Sequence, residues 1–171
     1  MRTALYIGRF QPPHKGHISV IKEILKNFDK VAIGVGSAQE KNTYENPFSA
    51  AERIKMLKLS LEDSELPVSK FIFIKINDTF DDVSWVKEVL KKAGKFDAAF
   101  TNNEWTKFCF QDKGIKTHGT QYFAPHKGEL IRKKIAKGKP WDETVAQSVY
   151  EYILKIKGDT RIKNSYNKKQ G

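Results

Sequence analysis

The ten residues Gly8-Arg9-Phe10-Gln11-Pro12-Pro13-His14-Lys15-Gly16-His17 constrain this chain more than any other stretch. An apolar run, Ala4-Leu5-Tyr6-Ile7, precedes them, and Ile18, Ile21, Ile24, Leu25 and Phe28 follow at helical spacing. They therefore join a buried strand to an amphipathic helix of about residues 15–27. Val31 to Val35 is the next apolar run, and strand, helix, strand at this length gives a parallel pair with a right-handed crossover. A strand that ends at glycine and feeds a helix turns backbone N–H groups and the positive end of the helix dipole toward whatever fills the gap. That suits a phosphate. His14 and His17, three apart in the first turn, share one face and aim ring donors at one anion, with Arg9 and Lys15 adding positive charge. A zinc site would need three or four His, Cys or carboxylate ligands, and no Cys or carboxylate lies nearby in the sequence.

The rest of the chain continues the alternation. Asn46-Pro47 reads as a helix start, since asparagine caps free N–H groups and proline suits the first helical position, and apolar spacing carries that helix to about Glu62. Phe71 to Ile74 is a third strand, and Asp78 to Asp82 an acidic loop. The next helix has Val83, Val86, Val89 and Leu90 on its inner face, which leaves Trp85 off that stripe. Phe96 to Phe100 gives a fourth strand, Glu104 to Gln111 a helix and Ile115 to Thr117 a weak fifth strand. Basic helices over Gly128–Lys137 and Glu143–Lys157 each end at a glycine, and from Asp159 the composition is that of a basic tail that frays. The pattern predicts an α/β fold, a doubly wound parallel sheet of about five strands with a small helical C-terminal part near residues 127–158, in one domain over 1–158 followed by the tail 159–171. The polar loop 36–45 falls at the carboxyl end of the second strand, where ligands of open α/β sheets collect. Pro-His-Lys-Gly recurs at Pro125, but the surrounding residues do not match and no structural repeat follows.

A chain of 171 residues suits one domain with a proper core. The one cysteine, Cys109, excludes an intramolecular disulfide, reads as a buried small hydrophobe between Phe108 and Phe110, and fits a reducing compartment. No leader pattern and no apolar run of roughly 18 residues is present, so a cytoplasmic protein without a membrane partner is expected. The formal net charge of +11 fits either nucleic acid or small polyanions such as nucleotides, and the dispersal of the lysines over helix faces makes much of it a solvated surface.

Gly8-Arg9-Phe10-Gln11-Pro12 with His14 to His17 resembles the His-x-Gly-His signature of the nucleotidyltransferase superfamily, whose fold is Rossmann-like. Together with Gly34-Val35-Gly36-Ser37-Ala38-Gln39, Asn46-Pro47-Phe48 and Glu52-Arg53, it makes the chain similar, from Arg2 to about Arg161, to archaeal-type nicotinamide-nucleotide adenylyltransferases. The resemblance implies transfer of AMP from ATP to nicotinamide mononucleotide, with in-line attack of the acceptor phosphate on the α-phosphorus and release of pyrophosphate. An ionised phosphate is already a nucleophile, so alignment and charge stabilisation do the chemistry. By the same resemblance Arg9, His14, His17 and Arg132 are the catalytic residues, and Gly8, Phe10, Gly16, Gly128 and Ile131 complete the ATP site. Gly36, Ser37, Asn46, Asp78 and Trp85 receive the acceptor, Trp85 by stacking on the pyridine ring. Mg²⁺ enters with ATP and no dedicated protein metal site is implied, while the family suggests a homo-oligomer. Two departures stand out: the late turn carries Lys127 and Glu129 where the family has hydroxyl residues, and Asn102-Asn103 replaces the family's Ser-Gly-Asn-Pro. The alternatives are the same chemistry on nicotinic acid mononucleotide, phosphopantetheine or flavin mononucleotide, or a non-catalytic protein that binds nucleotides or nucleic acid.

Overall fold

A computed structural model describes residues 1–120 and 126–171, so of the second Pro-His-Lys-Gly run Pro125 lies outside the described residues. The chain forms two compact units: Met1–Arg9, Val20–Ala38 and Ser69–Gln121 make the first, and Phe10–Ser19, Gln39–Val68 and Tyr122–Gly171 the second.

The first unit holds the sheet. Strands β1 (Thr3–Gly8), β2 (Lys30–Val35), β3 (Phe71–Lys75), β4 (Ala98–Phe100) and β5 (Thr117–His118) are all parallel and lie in the order β3-β2-β1-β4-β5. The order runs outward from β1 in both directions, so the topological switch lies between β1 and β4 and the chain leaving Gly8 emerges there. The fold is thus the expected α/β, Rossmann-like one, although β5 falls at Thr117–His118 rather than over residues 115–117. Leu5, Ile7, Ala32 and Ile74 pack with α3 (Asp82–Ala93) and α4 (Glu104–Gln111) through Trp85, Val86, Val89, Cys109 and Phe110. Gly34 in β2 leaves room for its neighbours, since a Cβ there would stand 2.6 Å from Ile76 Cδ1 and 3.1 Å from Ile7 Cγ1 and force the isoleucines to move.

The expected inner face of α3 needs correction. Val83 and Leu90 are 46% and 40% exposed, whereas Trp85 is 4% exposed and lies in the core. The two stripes are neighbours on the helix, and burial follows the larger apolar surface. The Trp85 ring sits 4.8 Å from Trp105 and 5.6 Å from Phe110, between centroids. At the end of β4, Asn103 caps α4 by accepting from Thr106 N, and Asn102 Oδ1 accepts from Thr120 N at 2.6 Å.

In the second unit, α1 (Lys15–Ile24) begins, continuing into the first. Helix α2 (Ala50–Asp63) does not start at Asn46-Pro47 as expected but at Ser49, where Ser49 and Glu52 form a reciprocal capping box. That pair satisfies two backbone donors at once, more than Asn46 would. Helix α5 (Gly128–Ala136) stops before Gly138, whose φ of +65° suits glycine. Helix α6 (Gln147–Lys155) starts later than Glu143, after a 3-10 turn over Asp142–Thr144.

The stretch from Asp159 does not fray. It is helix α7 (Gly158–Gln170), anchored by Ile162 in a core with Phe48, Met56, Ile135, Trp141, Val149 and Ile153. Arg161 donates to Pro47 O at 2.9 Å and to both Glu52 carboxylate oxygens, at 2.8 and 3.1 Å. Burial would push the Glu52 carboxyl up, but the hydrogen bonds from Arg161 and Ser49 outweigh it and hold it below its usual range. Among the described residues no helix is long and apolar enough to cross a membrane.

Candidate active site

Site residues of the first unit gather where the strands end. Gly36 N donates to Gly8 O at 2.9 Å, extending the β1–β2 pairing past β2, and Arg9 is exposed just beyond. Ser37, with φ of +44°, donates from Oγ to Asp78 Oδ1 at 3.2 Å, so two residues expected to receive the acceptor do meet. Trp85, expected with them, is buried in the core of that unit.

In the second unit the signature turns sharply. Phe10 has φ of +54°, a region that a bulky residue enters only when its surroundings fix it. Its ring is buried against that of His17, 4.7 Å away. Gln11 then organises the turn. Its side chain donates to Phe48 O and accepts from Phe48 N, both at 3.0 Å, while its own carbonyl accepts from Arg132 Nη1 at 2.7 Å. This explains Gly128 as well: a Cβ there would lie 3.1 Å from Gln11 O and 3.2 Å from Arg132 Nη1. Arg132 is a buried guanidinium, 5% exposed.

His14 and His17 stack with ring centroids 3.6 Å apart. His14 N donates to His17 Nδ1 at 3.0 Å and His17 N to His14 Nδ1 at 3.4 Å, so both Nδ1 atoms act as acceptors and both ring protons belong on Nε2. Burial, then the charge of His126, lowers the His14 pKa to about 3. Burial and then His14 put His17 well below its ordinary value. The pair is therefore neutral at physiological pH and presents Nε2–H donors rather than fixed charge. Gly16 is required by close approach, since a Cβ there would come within 2.9 Å of both the His14 ring and His126 Cβ.

The remaining expected residues divide. Ile131 lies in the hydrophobic core with its N–H bonded to Lys127 O, whereas Lys127 and Glu129 are exposed. Asn46 N donates to Thr43 Oγ1 at 2.9 Å, and Asn46 Oδ1 is buried without a hydrogen-bond partner among the described residues. Among those residues no group of three or more His, Cys, Asp or Glu is placed to hold a metal ion. Sequence reasoning missed Gln11 and His126. Gln11 stood inside the signature, but its partners Phe48 and Arg132 are distant in the chain; His126 was visible only as part of the recurring Pro-His-Lys-Gly.

A family model described as cytidylyltransferase-like matches residues 5–108. The nicotinamide-nucleotide adenylyltransferase of Thermococcus kodakarensis is 36% identical over 165 residues, covering 95% of this chain and 88% of that protein. That of Saccharolobus solfataricus is 38% identical over 165 residues, covering 95% and 96%. Among solved structures, a bifunctional NMN adenylyltransferase/ADP ribose pyrophosphatase from Francisella tularensis, complexed with AMP and a manganese ion, matches with a TM-score of 0.80 at 21% identity. That match covers 97% of this chain, which spans about half (53%) of the bifunctional protein, and it is a likeness of fold.

Proposed function

The chain belongs to the cytidylyltransferase-like family and, within it, to the nicotinamide-nucleotide adenylyltransferases, and from this we infer that it transfers AMP from ATP to nicotinamide mononucleotide, releasing NAD and pyrophosphate. The observation that carries the reading at the level of residues is the stacked His14–His17 pair, its tautomers set by backbone amides, in the same unit as the buried Arg132 guanidinium. Neutral Nε2–H donors hold phosphate oxygens without adding charge, and Arg132 offsets charge that develops on the α-phosphate and the leaving pyrophosphate. The acceptor phosphate is ionised at neutral pH and attacks the α-phosphorus in line, while the P–O bond to pyrophosphate breaks. Gly16, Gly128 and the backbones of Phe10 and Ile131, in the same unit as the histidine pair and Arg132, complete that unit's hold on ATP in this reading. Gly36, Ser37 and Asp78, all of the first unit, receive the mononucleotide in this reading, whereas Trp85, buried in the core, only supports the helix behind them.

A divalent ion, Mg²⁺ in this reading, would enter with ATP and would supply charge neutralisation at the phosphates. We also propose that the protein works in the cytoplasm as a homo-oligomer, which light scattering on the purified chain tests for the assembly.

Pyrophosphate release from ATP and Mg²⁺, measured across acceptors, tests the function. Turnover is expected with nicotinamide mononucleotide, and its ratio to that with nicotinic acid mononucleotide sets the preference of amide over acid. Turnover only with phosphopantetheine or flavin mononucleotide, or ATP binding with no turnover at all, overturns it.

A further inference from the structure

The repeated Pro-His-Lys-Gly leaves a histidine that the reaction has not used. His126 precedes α5 by one residue, Lys127, and its ring lies nearly parallel to that of His14, with centroids 6.3 Å apart and an interplanar angle of 23°. His14 is itself stacked on His17, so three imidazoles form a row. The contact is close enough to shape the signature: His126 Cβ is among the atoms that a side chain at Gly16 would strike, at 2.9 Å. His126 Nδ1 is sealed from water and has no hydrogen-bond partner among the described residues. A buried polar atom in that state needs an explanation, and a ligand that brings the partner is one. Burial, and then the charges of Lys15 and Lys134, keep the His126 pKa below its ordinary value, so the ring is a neutral donor like its neighbours. The helix that follows opens at Lys127 with no side-chain cap.

Resting on the adenylyltransferase reading, we propose that His126 is a third triphosphate-binding imidazole, which donates a ring N–H to a phosphate oxygen of ATP beside the start of α5.

The test is calorimetric titration of the full-length protein with ATP and Mg²⁺, for the wild type, His126→Ala, His126→Asn, His126→Gln and His17→Ala. Asparagine carries an amide N–H near the place of Nδ1 and glutamine near that of Nε2, so the pair also reports which nitrogen donates. His126→Ala is expected to weaken ATP binding roughly ten- to a hundredfold, the range for a lost hydrogen bond to a charged group. KM for nicotinamide mononucleotide should stay within about twofold, and one of the two amides should restore most of the affinity. Wild-type affinity in His126→Ala, or a loss that neither amide repairs, overturns the proposal. If His17→Ala weakens ATP and His126→Ala does not, this proposal alone fails; a wild type that binds no ATP overturns it together with the adenylyltransferase reading.

Discussion

Two helices of the second unit begin in opposite ways. At the start of α2, Ser49 Oγ accepts from Glu52 N and the Glu52 carboxylate accepts from Ser49 N, at 3.2 and 2.9 Å, with Arg161 bonded to the same carboxylate. At the start of α5, Lys127 offers no side-chain cap, Gly128 lets the Gln11 carbonyl approach, and a buried arginine follows one turn later. The first start is completed by its own side chains and serves the fold. The second leaves its leading amides and the positive end of its dipole to solvent or an anion, beside a guanidinium and three imidazoles, and it is on this contrast that the proposed triphosphate site rests.

Arg132→Ala should break the open start most severely. Loss of a charge-stabilising donor of this kind costs about a hundred- to a thousandfold in kcat. Because the same side chain donates to the buried Gln11 carbonyl, stability should also fall, by about 1–3 kcal/mol. Steady-state kinetics and urea unfolding on one preparation separate the two losses, and near-normal kcat would reduce Arg132 to a structural tie.

Acid should act on the histidine side of the comparison. His14 has a pKa of about 3 in the folded protein against 6.5 for an ordinary histidine, so only the unfolded chain takes up its proton between those values. Stability is full above about pH 6.5 and should decline by about 1.4 kcal/mol per pH unit below it for each such histidine. His17, also lowered, steepens the decline in the same direction. Urea midpoints taken between about pH 7 and about pH 5 give the slope, and His14→Asn should flatten it.

Ser49→Ala sharpens the contrast from the other side, costing about 1 kcal/mol of stability with kcat near the wild-type value. The smallest effect belongs to Lys127→Ala, an exposed residue that caps nothing: its unfolding free energy should stay within about 0.5 kcal/mol of wild type. A thermal shift as large as that of Ser49→Ala would mean that the two helix starts do not differ in this way.

Local signals are legible in this sequence and long-range ones are not. The apolar run, Gly8 and the spacing of Ile18, Ile21 and Ile24 define β1, the turn and the start of α1, which ends at Ile24 rather than near residue 27, and α4 has the expected ends, Glu104 and Gln111. The start of α2 was legible too, as Ser49 three residues before Glu52, but Asn46-Pro47 gave a competing local signal. The place of Trp85 is not legible in the sequence because two stripes on α3 share Val86 and Val89, and only the partners Trp105 and Phe110, from another helix, decide between them. Helix α7 has a single fully apolar anchor, Ile162, and is held by Arg161 on Glu52 and Tyr166 on Tyr44, contacts more than a hundred residues apart that no periodicity reveals. The histidine pair was visible in the sequence, whereas the Gln11 bonds to Phe48 and Arg132 that tie its turn to α5 were not.

NAD formation from ATP, Mg²⁺ and nicotinamide mononucleotide, measured for the wild type beside His17→Ala, is the most direct examination of the site. Steady turnover by the wild type is expected, with a loss of two or more orders of magnitude in His17→Ala, while acceptor binding changes little. Equal turnover by the two proteins would contradict a phosphate-holding role for the His14–His17 pair.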